Sequence, residues 1–288
     1  MRFLSYTHHG ATKHGVLRPD GDIDELGDGD LLALIERGGL NDPPAPRGRI
    51  AVEEIEIVAP LRRPPKLLAV AANYASHVLA SGGTPLDPRA ATPRLFLKPS
   101  SAVAGPQDVL TPPSIASNVD WEVELAVVIG TRVKDISPED AMSAVAGYMT
   151  ANDISTRAFD FGFARDEHSV APFFDWLAGK WSDGYAPFGP YLVSADEVPD
   201  PGNLELHLEV NGEVRQSGST SELLFGIPEL ISFASTLMTL EPGDVIETGT
   251  TAGAGIETGL QLADGDVMVA RVGDLGEIRT AVRIPAAR

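Results

Sequence analysis

The run Asp120-Trp121-Glu122-Val123-Glu124-Leu125-Ala126-Val127-Val128-Ile129-Gly130 sets two carboxylates two residues apart in an otherwise apolar, β-branched stretch. Such a run reads as a strand. Strand side chains alternate between faces, so Glu122 and Glu124 point one way while Val123 and Leu125 point the other. Like charges on one face repel, and water on an exposed face, basic partners or a divalent cation must offset the repulsion. A third acid stands at Asp153, where the apolar-aromatic strand from Gly147-Tyr148 ends in Asn152-Asp153-Ile154-Ser155. Glu122, Glu124 and Asp153 together suit a hard cation such as Mg²⁺ or Mn²⁺, and leave about three octahedral positions for water or a bidentate 1,2- or 1,3-dioxygenated substrate. A solvated pair of glutamates on an exposed strand is the competing reading.

Outward from this stretch, composition narrows the choices. The 288 residues are 43% hydrophobic and 22% charged, as expected of a globular chain with a sizeable core. The net charge of −19 argues against nucleic acid and against an acidic membrane surface, and reads mainly as a solvated acidic exterior. The first residues lack the apolar core of a signal peptide and no apolar run approaches a membrane span, so a cytoplasmic protein is expected. With no cysteine, any metal is held by oxygen or imidazole, and there are no thiol nucleophiles. No Gly-x-Ser-x-Gly is present. Gly249-Thr250-Thr251-Ala252-Gly253-Ala254-Gly255 lacks a P-loop lysine and no helical pattern follows it, but it offers backbone N–H groups and a hydroxyl suited to a carboxylate or oxyanion.

Residues 1–62 read as a small N-terminal domain of short strands and one helix near Asp30–Gly39, ended by Arg62-Arg63-Pro64-Pro65, and residues 66–288 as a larger domain. His8, His9 and His14 read as exposed loop histidines, and His207 as structural. Lys66–Ala72 and Arg94–Lys98 read as strands, with a loose Gly/Pro/Thr stretch up to Pro93 as a candidate lid. Residues 159–191 hold ten of the eighteen aromatics, which wall a pocket or fill a core. Asn211-Gly212 marks a hairpin and Pro228–Leu240 a helix. The fold class expected is mixed, β-rich α+β.

These motifs in order, with Arg157, Lys180, Pro187-x-Gly189-Pro190, Asn211-Gly212, Pro242-Gly243-Asp244 and Gly249-Thr250, resemble the fumarylacetoacetate hydrolase family over about residues 66–283. The resemblance implies a β-roll catalytic domain, a homodimer, and Mg²⁺ or Mn²⁺ held by Glu122, Glu124 and Asp153. It implies action on 2-oxo and 1,3-diketo acids as small-molecule substrates. By the same matching Lys180 polarises or positions a substrate oxygen, Arg157 holds a carboxylate, Thr250 binds the far oxygen, and Tyr74 and Asp160 join the substrate-binding set. His77 matches the histidine that, in hydrolytic members, works with a glutamate three residues later to activate water. Here that position is Ala80, and a histidine without an orienting carboxylate is a weaker base.

The expectation is therefore a metal-dependent hydrolase that cleaves a C–C bond in an acylpyruvate-like acid through a metal-bound enolate, with His77 as base or proton relay. Ala80 keeps two alternatives open. One is isomerisation, decarboxylation or dehydration of a related 2-oxo acid; the other is a metal-binding scaffold without turnover. Asp160, where the family often has glutamine, would bring negative charge to the site, and the aromatic-rich segment suggests a larger, more apolar substrate.

Overall fold

The computed structural model describes residues 1–165 and 168–285. In chain order the elements are β1 (Arg2–His8), β2 (Ala11–Leu17), β3 (Ile23–Asp28), α1 (Leu32–Glu36), β4 (Gly48–Ile50), β5 (Glu56–Val58), β6 (Leu67–Ala71), α2 (Ala75–Ala80), β7 (Arg94–Lys98), β8 (Val103–Ala104), β9 (Ala116–Asp120) and β10 (Val123–Ile129). There follow β11 (Val145–Asn152), β12 (Ser155–Phe159), α3 (Ala171–Ala178), β13 (Ala186–Ser194), β14 (Glu205–Val210), β15 (Glu213–Ser219), α4 (Ile227–Leu237), β16 (Val245–Thr250), α5 (Gly255–Thr258), β17 (Val267–Val272) and β18 (Glu277–Ala281). The fold is mixed α+β, as expected.

Among the described residues, a twelve-stranded sheet runs β4-β3-β2-β1-β13-β11-β10-β16-β6-β7, with β5 on β1 and β8 on β13. Every residue of β10 is buried, which is why its sequence is apolar on both faces apart from Glu124: it lies between β11 and β16 with both faces covered. The N-terminal strands join this same sheet, because Arg2 and Phe3 of β1 pair with Val193 and Leu192 of β13. Phe3, Leu31, Leu34 and Ile35 accordingly belong to one core cluster with Val123, Leu125 and Val127. A second sheet, β15-β14-β17-β18, carries the expected hairpin, with Asn211 (φ 55°) and Gly212 (φ 79°) both left-handed, as a tight two-residue turn requires.

Three local readings change. The stretch expected as one strand from Asp120 is two, with Trp121 and Glu122 in the break: β9 leaves the large sheet to pair with β12 as a separate ribbon, Asp120 opposite Ser155. The glycine loop is followed by helix after all, the single turn α5. His14 is a buried residue of β2 rather than a loop histidine, with Nδ1 3.1 Å from the Gly29 carbonyl oxygen, and His8 lies on β1.

Candidate active site

Two devices bring the acids together. Glu122, outside regular strand, is held by its successors in the Asn152-Asp153 pair: its N–H donates to Asn152 Oδ1 at 2.8 Å, and its carbonyl accepts the Asp153 N–H at 2.8 Å. Asn152 and Asp153 thus lock the Glu122 backbone while Asp153 turns its own side chain to the same point. Glu124 faces Thr250 across β10 and β16, whose register then shifts before Ala126 meets Glu247. The irregularity sits at Gly249 (φ 99°), whose N–H donates to Glu124 Oε2 at 2.6 Å. A side chain at Gly249 would meet Asn73 Cβ at 2.9 Å, so glycine is required.

Glu122, Glu124 and Asp153 are all buried, and their ligand oxygens lie within 4.8 Å of one another. Their electrostatics differ. Burial acts to raise the Glu122 carboxyl, but the charges of Arg157 and Lys180 overcome it and hold Glu122 below the usual carboxylate range. Glu124 forms no ion pair among the described residues, and burial followed by repulsion from Asp153 and Glu247 pushes it well above that range. An all-oxygen, buried set with one uncompensated carboxylate fits a hard divalent cation, so Glu122, Glu124 and Asp153 can hold one.

Basic side chains crowd the same acids. Lys180 pairs with Glu122 and lies 2.6 Å from Asp153 Oδ2, with its Nζ 5.5 Å from the centroid of the Phe96 ring. Burial acts to lower the Lys180 ammonium, but Asp153 and Glu122 overcome it and raise it. Lys98, also buried, pairs with the other Asp153 oxygen and donates to the Tyr185 carbonyl at 2.7 Å. Glu247 is fully buried with both oxygens unpartnered among the described residues, and burial above all pushes it up to about 8. Lys98 and Glu247 escaped the sequence reading. The signal available was a charged residue inside an apolar strand: Lys98 shares a face with Phe96, and Glu247 interrupts Val245-Ile246.

The acids open onto a small cavity of about 60 Å³, lined also by His77, Arg157, Lys180 and Thr250 and walled by Phe96 and Trp176. Phe96 and Trp176 meet edge to face with centroids 5.0 Å apart. This is far below the ~300 Å³ of a small-molecule pocket, so a substrate enters only if the wall moves. The aromatic-rich segment both fills core and walls the cavity: Tyr185 and Phe188 are buried, Trp176 lines the cavity, and Phe163, Phe173 and Phe174 are exposed.

The remaining expected site residues are placed unevenly. Arg157 is at the cavity, but its guanidinium joins two carboxylates, with Nε 2.9 Å from Asp120 Oδ2 and the other end on Glu122. Thr250 is at the cavity too, but its hydroxyl donates to the Val123 carbonyl and accepts from Gln216, both at 2.8 Å. Tyr74 is wholly buried outside the cavity lining, its hydroxyl unpartnered among the described residues. Asp160 is exposed, capping Gly162 N–H at 2.8 Å, and brings no charge to the site. The N–H groups of the glycine loop do receive carboxylates, but these are the protein's own: Gly249 binds Glu124, Gly253 binds Glu257, and Gly255 binds Asp120.

One correction bears on the chemistry. His77 does not lack a carboxylate partner, because Glu257 from α5 places Oε1 2.5 Å from His77 Nδ1. Spacing along the chain hid it, since the two are 180 residues apart and Glu257 sits in a turn of helix that the pattern did not signal.

A buried carboxylate cluster beside a histidine, two buried lysines and a small cavity defines an enzyme site that suits small oxygen-rich substrates. Residues 66–283 match the family model described as "Fumarylacetoacetate (FAA) hydrolase C-terminal", and the chain belongs to the fumarylacetoacetate hydrolase family and is an enzyme. It is 41% identical over 227 residues to the mitochondrial oxaloacetate tautomerase FAHD2A of Bos taurus, covering 78% of this chain and 68% of that protein. It is 34% identical over 289 residues to a 2,4-didehydro-3-deoxy-L-rhamnonate hydrolase of Sphingomonas, covering 98% and 96%. The structure of a 5-carboxymethyl-2-hydroxymuconate delta-isomerase from Mycobacterium smegmatis superposes with a TM-score of 0.80 at 30% identity, over 99% of this chain and 100% of that one. Hydrolase and isomerase activities both fall within this family. Among the described residues, no helix is long and apolar enough to cross a membrane.

Proposed function

We propose that the protein is a divalent-cation-dependent hydrolase that cleaves the C–C bond of a 2-oxo or 1,3-diketo acid of the acylpyruvate kind. The observation that carries the reading is the sharing of one cavity by the Glu122, Glu124 and Asp153 cluster and the imidazole of His77. A cation held by Glu122, Glu124 and Asp153, Mg²⁺ or Mn²⁺, would supply Lewis-acid polarisation of adjacent substrate oxygens.

The chain's own residues do the rest. His77 takes a proton from water, so that the oxygen can add to the outer carbonyl carbon. Breaking the C–C bond then leaves a free acid and a three-carbon enolate, which takes a proton to become pyruvate. Lys180, buried against Glu122 and Asp153, stabilises negative charge gathering on the oxygens beside it. Arg157 supports Glu122 rather than being free for substrate, and Phe96 and Trp176 exclude bulk water.

The second reading keeps proton transfer and omits water attack: tautomerisation or isomerisation of a related 2-oxo acid. What favours it is the 41% identity to an oxaloacetate tautomerase. Incubation with Mg²⁺ and a panel of acylpyruvates, oxaloacetate and 2-hydroxydienoates separates the two, since pyruvate plus a free acid supports hydrolysis, whereas keto–enol or double-bond shifts without cleavage support the second reading. A homodimer is proposed on the family resemblance, and sedimentation velocity tests it; a cytoplasmic location is proposed on the lack of an apolar run long enough to span a membrane, and fractionation of the source cells tests that.

A further inference from the structure

We infer that Glu247 is a further carboxylate of the cation site, one that supplies, together with Glu124, the negative charge that a bound divalent cation balances. The inference rests on the cation dependence proposed above and not on which bond is then broken.

Strand register places Glu247 beside the cluster. Across β10 and β16, Thr250 lies opposite Glu124 and Glu247 lies opposite Ala126, so Glu247 shares a sheet face with Glu124 and stands diagonally from it. Diagonal neighbours on adjacent strands are within reach of each other's long side chains. On its other side Glu247 pairs with Ala69 of β6, whose own partner on β7 is Phe96 of the cavity wall. The alanines on both flanking strands leave the carboxylate room and offer it no side-chain donor. Glu247 is fully buried, and neither of its oxygens has a hydrogen-bond partner among the described residues. It does not line the cavity, so it stands behind the cluster rather than in the path of a substrate.

The charges around this face do not balance. Asp120, Arg157, Glu122, Lys180, Asp153 and Lys98 form one unbroken chain of ion pairs in which acid and base alternate, three of each, so the chain is neutral as a whole. Glu124 and Glu247 are left over on the shared face: Glu124 accepts only the Gly249 N–H among the described residues, and Glu247 has no partner there at all. Two like charges withdrawn from water are costly unless they are countered. Their joint charge equals that of one divalent cation with the sign reversed. A cation held by Glu122, Glu124 and Asp153 therefore leaves this part of the interior neutral only when Glu247 is ionised beside it. Before the cation arrives, burial pushes the Glu247 carboxyl up to about 8, which keeps it neutral. A Glu247 that merely filled the core would stay neutral with the cation bound as well, and would leave its affinity unchanged.

The test uses the full chain as wild type, as Glu247→Gln, which keeps the shape and removes the charge, and as Glu247→Asp, which keeps the charge on a shorter arm. Mn²⁺ affinity is read by calorimetry, and the metal-free unfolding midpoint of each chain shows that it is folded. Glu247→Gln is expected to bind Mn²⁺ about 10–100-fold more weakly than wild type, the range seen when a group that supports metal ligands is removed. Its metal-free midpoint is expected to be no lower than that of wild type, since the buried carboxyl it replaces has no partner to lose. Glu247→Asp is expected to bind Mn²⁺ at least about threefold more tightly than Glu247→Gln. A loss of less than about tenfold in Glu247→Gln overturns the inference and makes Glu247 a neutral core residue. Equal losses in the two variants overturn it too, because shape rather than charge would then set the affinity. If wild type binds Mn²⁺ but cleaves no acylpyruvate, the hydrolytic reading fails and the affinities still decide this inference; if wild type binds no Mn²⁺, both fail.

Discussion

Replacing Lys180 with methionine tests the electrostatic design of the centre. The ammonium is buried and neutralises both Glu122 and Asp153, with Asp153 Oδ2 at 2.6 Å. Methionine conserves length and fills the space beside Phe96, so the main loss is charge. Arg157 still pairs with Glu122 and Lys98 with Asp153 in the variant, so the cost is at most the about 3–5 kcal/mol of leaving a buried charge unpaired. At roughly 2 °C per kcal/mol for a chain of this size, the unfolding midpoint without metal falls, by at most about 6–10 °C. A divalent cation replaces the missing charge, and no ammonium now competes for the Glu122 and Asp153 oxygens, so Mn²⁺ binds the variant more tightly than it binds wild type. At about 100 times the dissociation constant, binding returns ~2.7 kcal/mol, and the tighter-binding variant gains more than wild type at any given concentration. Thermal unfolding across a Mn²⁺ titration, with calorimetric affinities, reads both effects. A midpoint gap that Mn²⁺ leaves unchanged, or weaker Mn²⁺ binding by the variant, would refute the reasoning.

Three further outcomes follow from the same geometry. Glu122→Gln removes a proposed ligand and should weaken Mn²⁺ binding by more than about 100-fold, read by calorimetry. Glu247, pushed up to about 8 by burial from an ordinary value of 4.5, keeps its proton in the folded state while the unfolded chain loses it, so the folded state binds more protons and stability declines as pH rises from 4.5 to 8. Urea unfolding of metal-free Glu247→Gln should show a flatter profile over that window and a gain over wild type at pH 8; parallel profiles would count against the assignment. Trp176→Ala opens the wall of the 60 Å³ cavity, and should raise kcat/KM for long-chain acylpyruvates relative to the shortest. A uniform change across chain lengths would show that Trp176 does not set substrate size.

The sequence carried the fold class and the three acids because both have local signatures. An apolar, β-branched run reads as a strand, and Glu-x-Glu in that run stands out as like charge on one face that needs water, a basic partner or a cation. Asn211-Gly212 and the helix after Gly226 were legible for the same reason: turn chemistry and helical spacing act over a few residues. What depended on long-range contact was not. The break at Trp121-Glu122 arises because β9 pairs with β12, which no property of residues 120–130 announces. The joining of the N-terminal strands to β13 is likewise a sheet-edge event. Arg157, Thr250 and the glycine-loop N–H groups had the right chemistry to bind a substrate, but the fold brings them protein partners first. Glu257 is the clearest case, since reading only the residues near His77 left it without the carboxylate that the tertiary structure provides.

Product identification with Mg²⁺ and acylpyruvates tests the central proposal most directly. Wild type is expected to release pyruvate and the matching free acid in equal amounts, with turnover abolished by chelation and by Glu122→Gln. A Mg²⁺-loaded enzyme that leaves every acylpyruvate uncleaved would contradict the hydrolytic assignment.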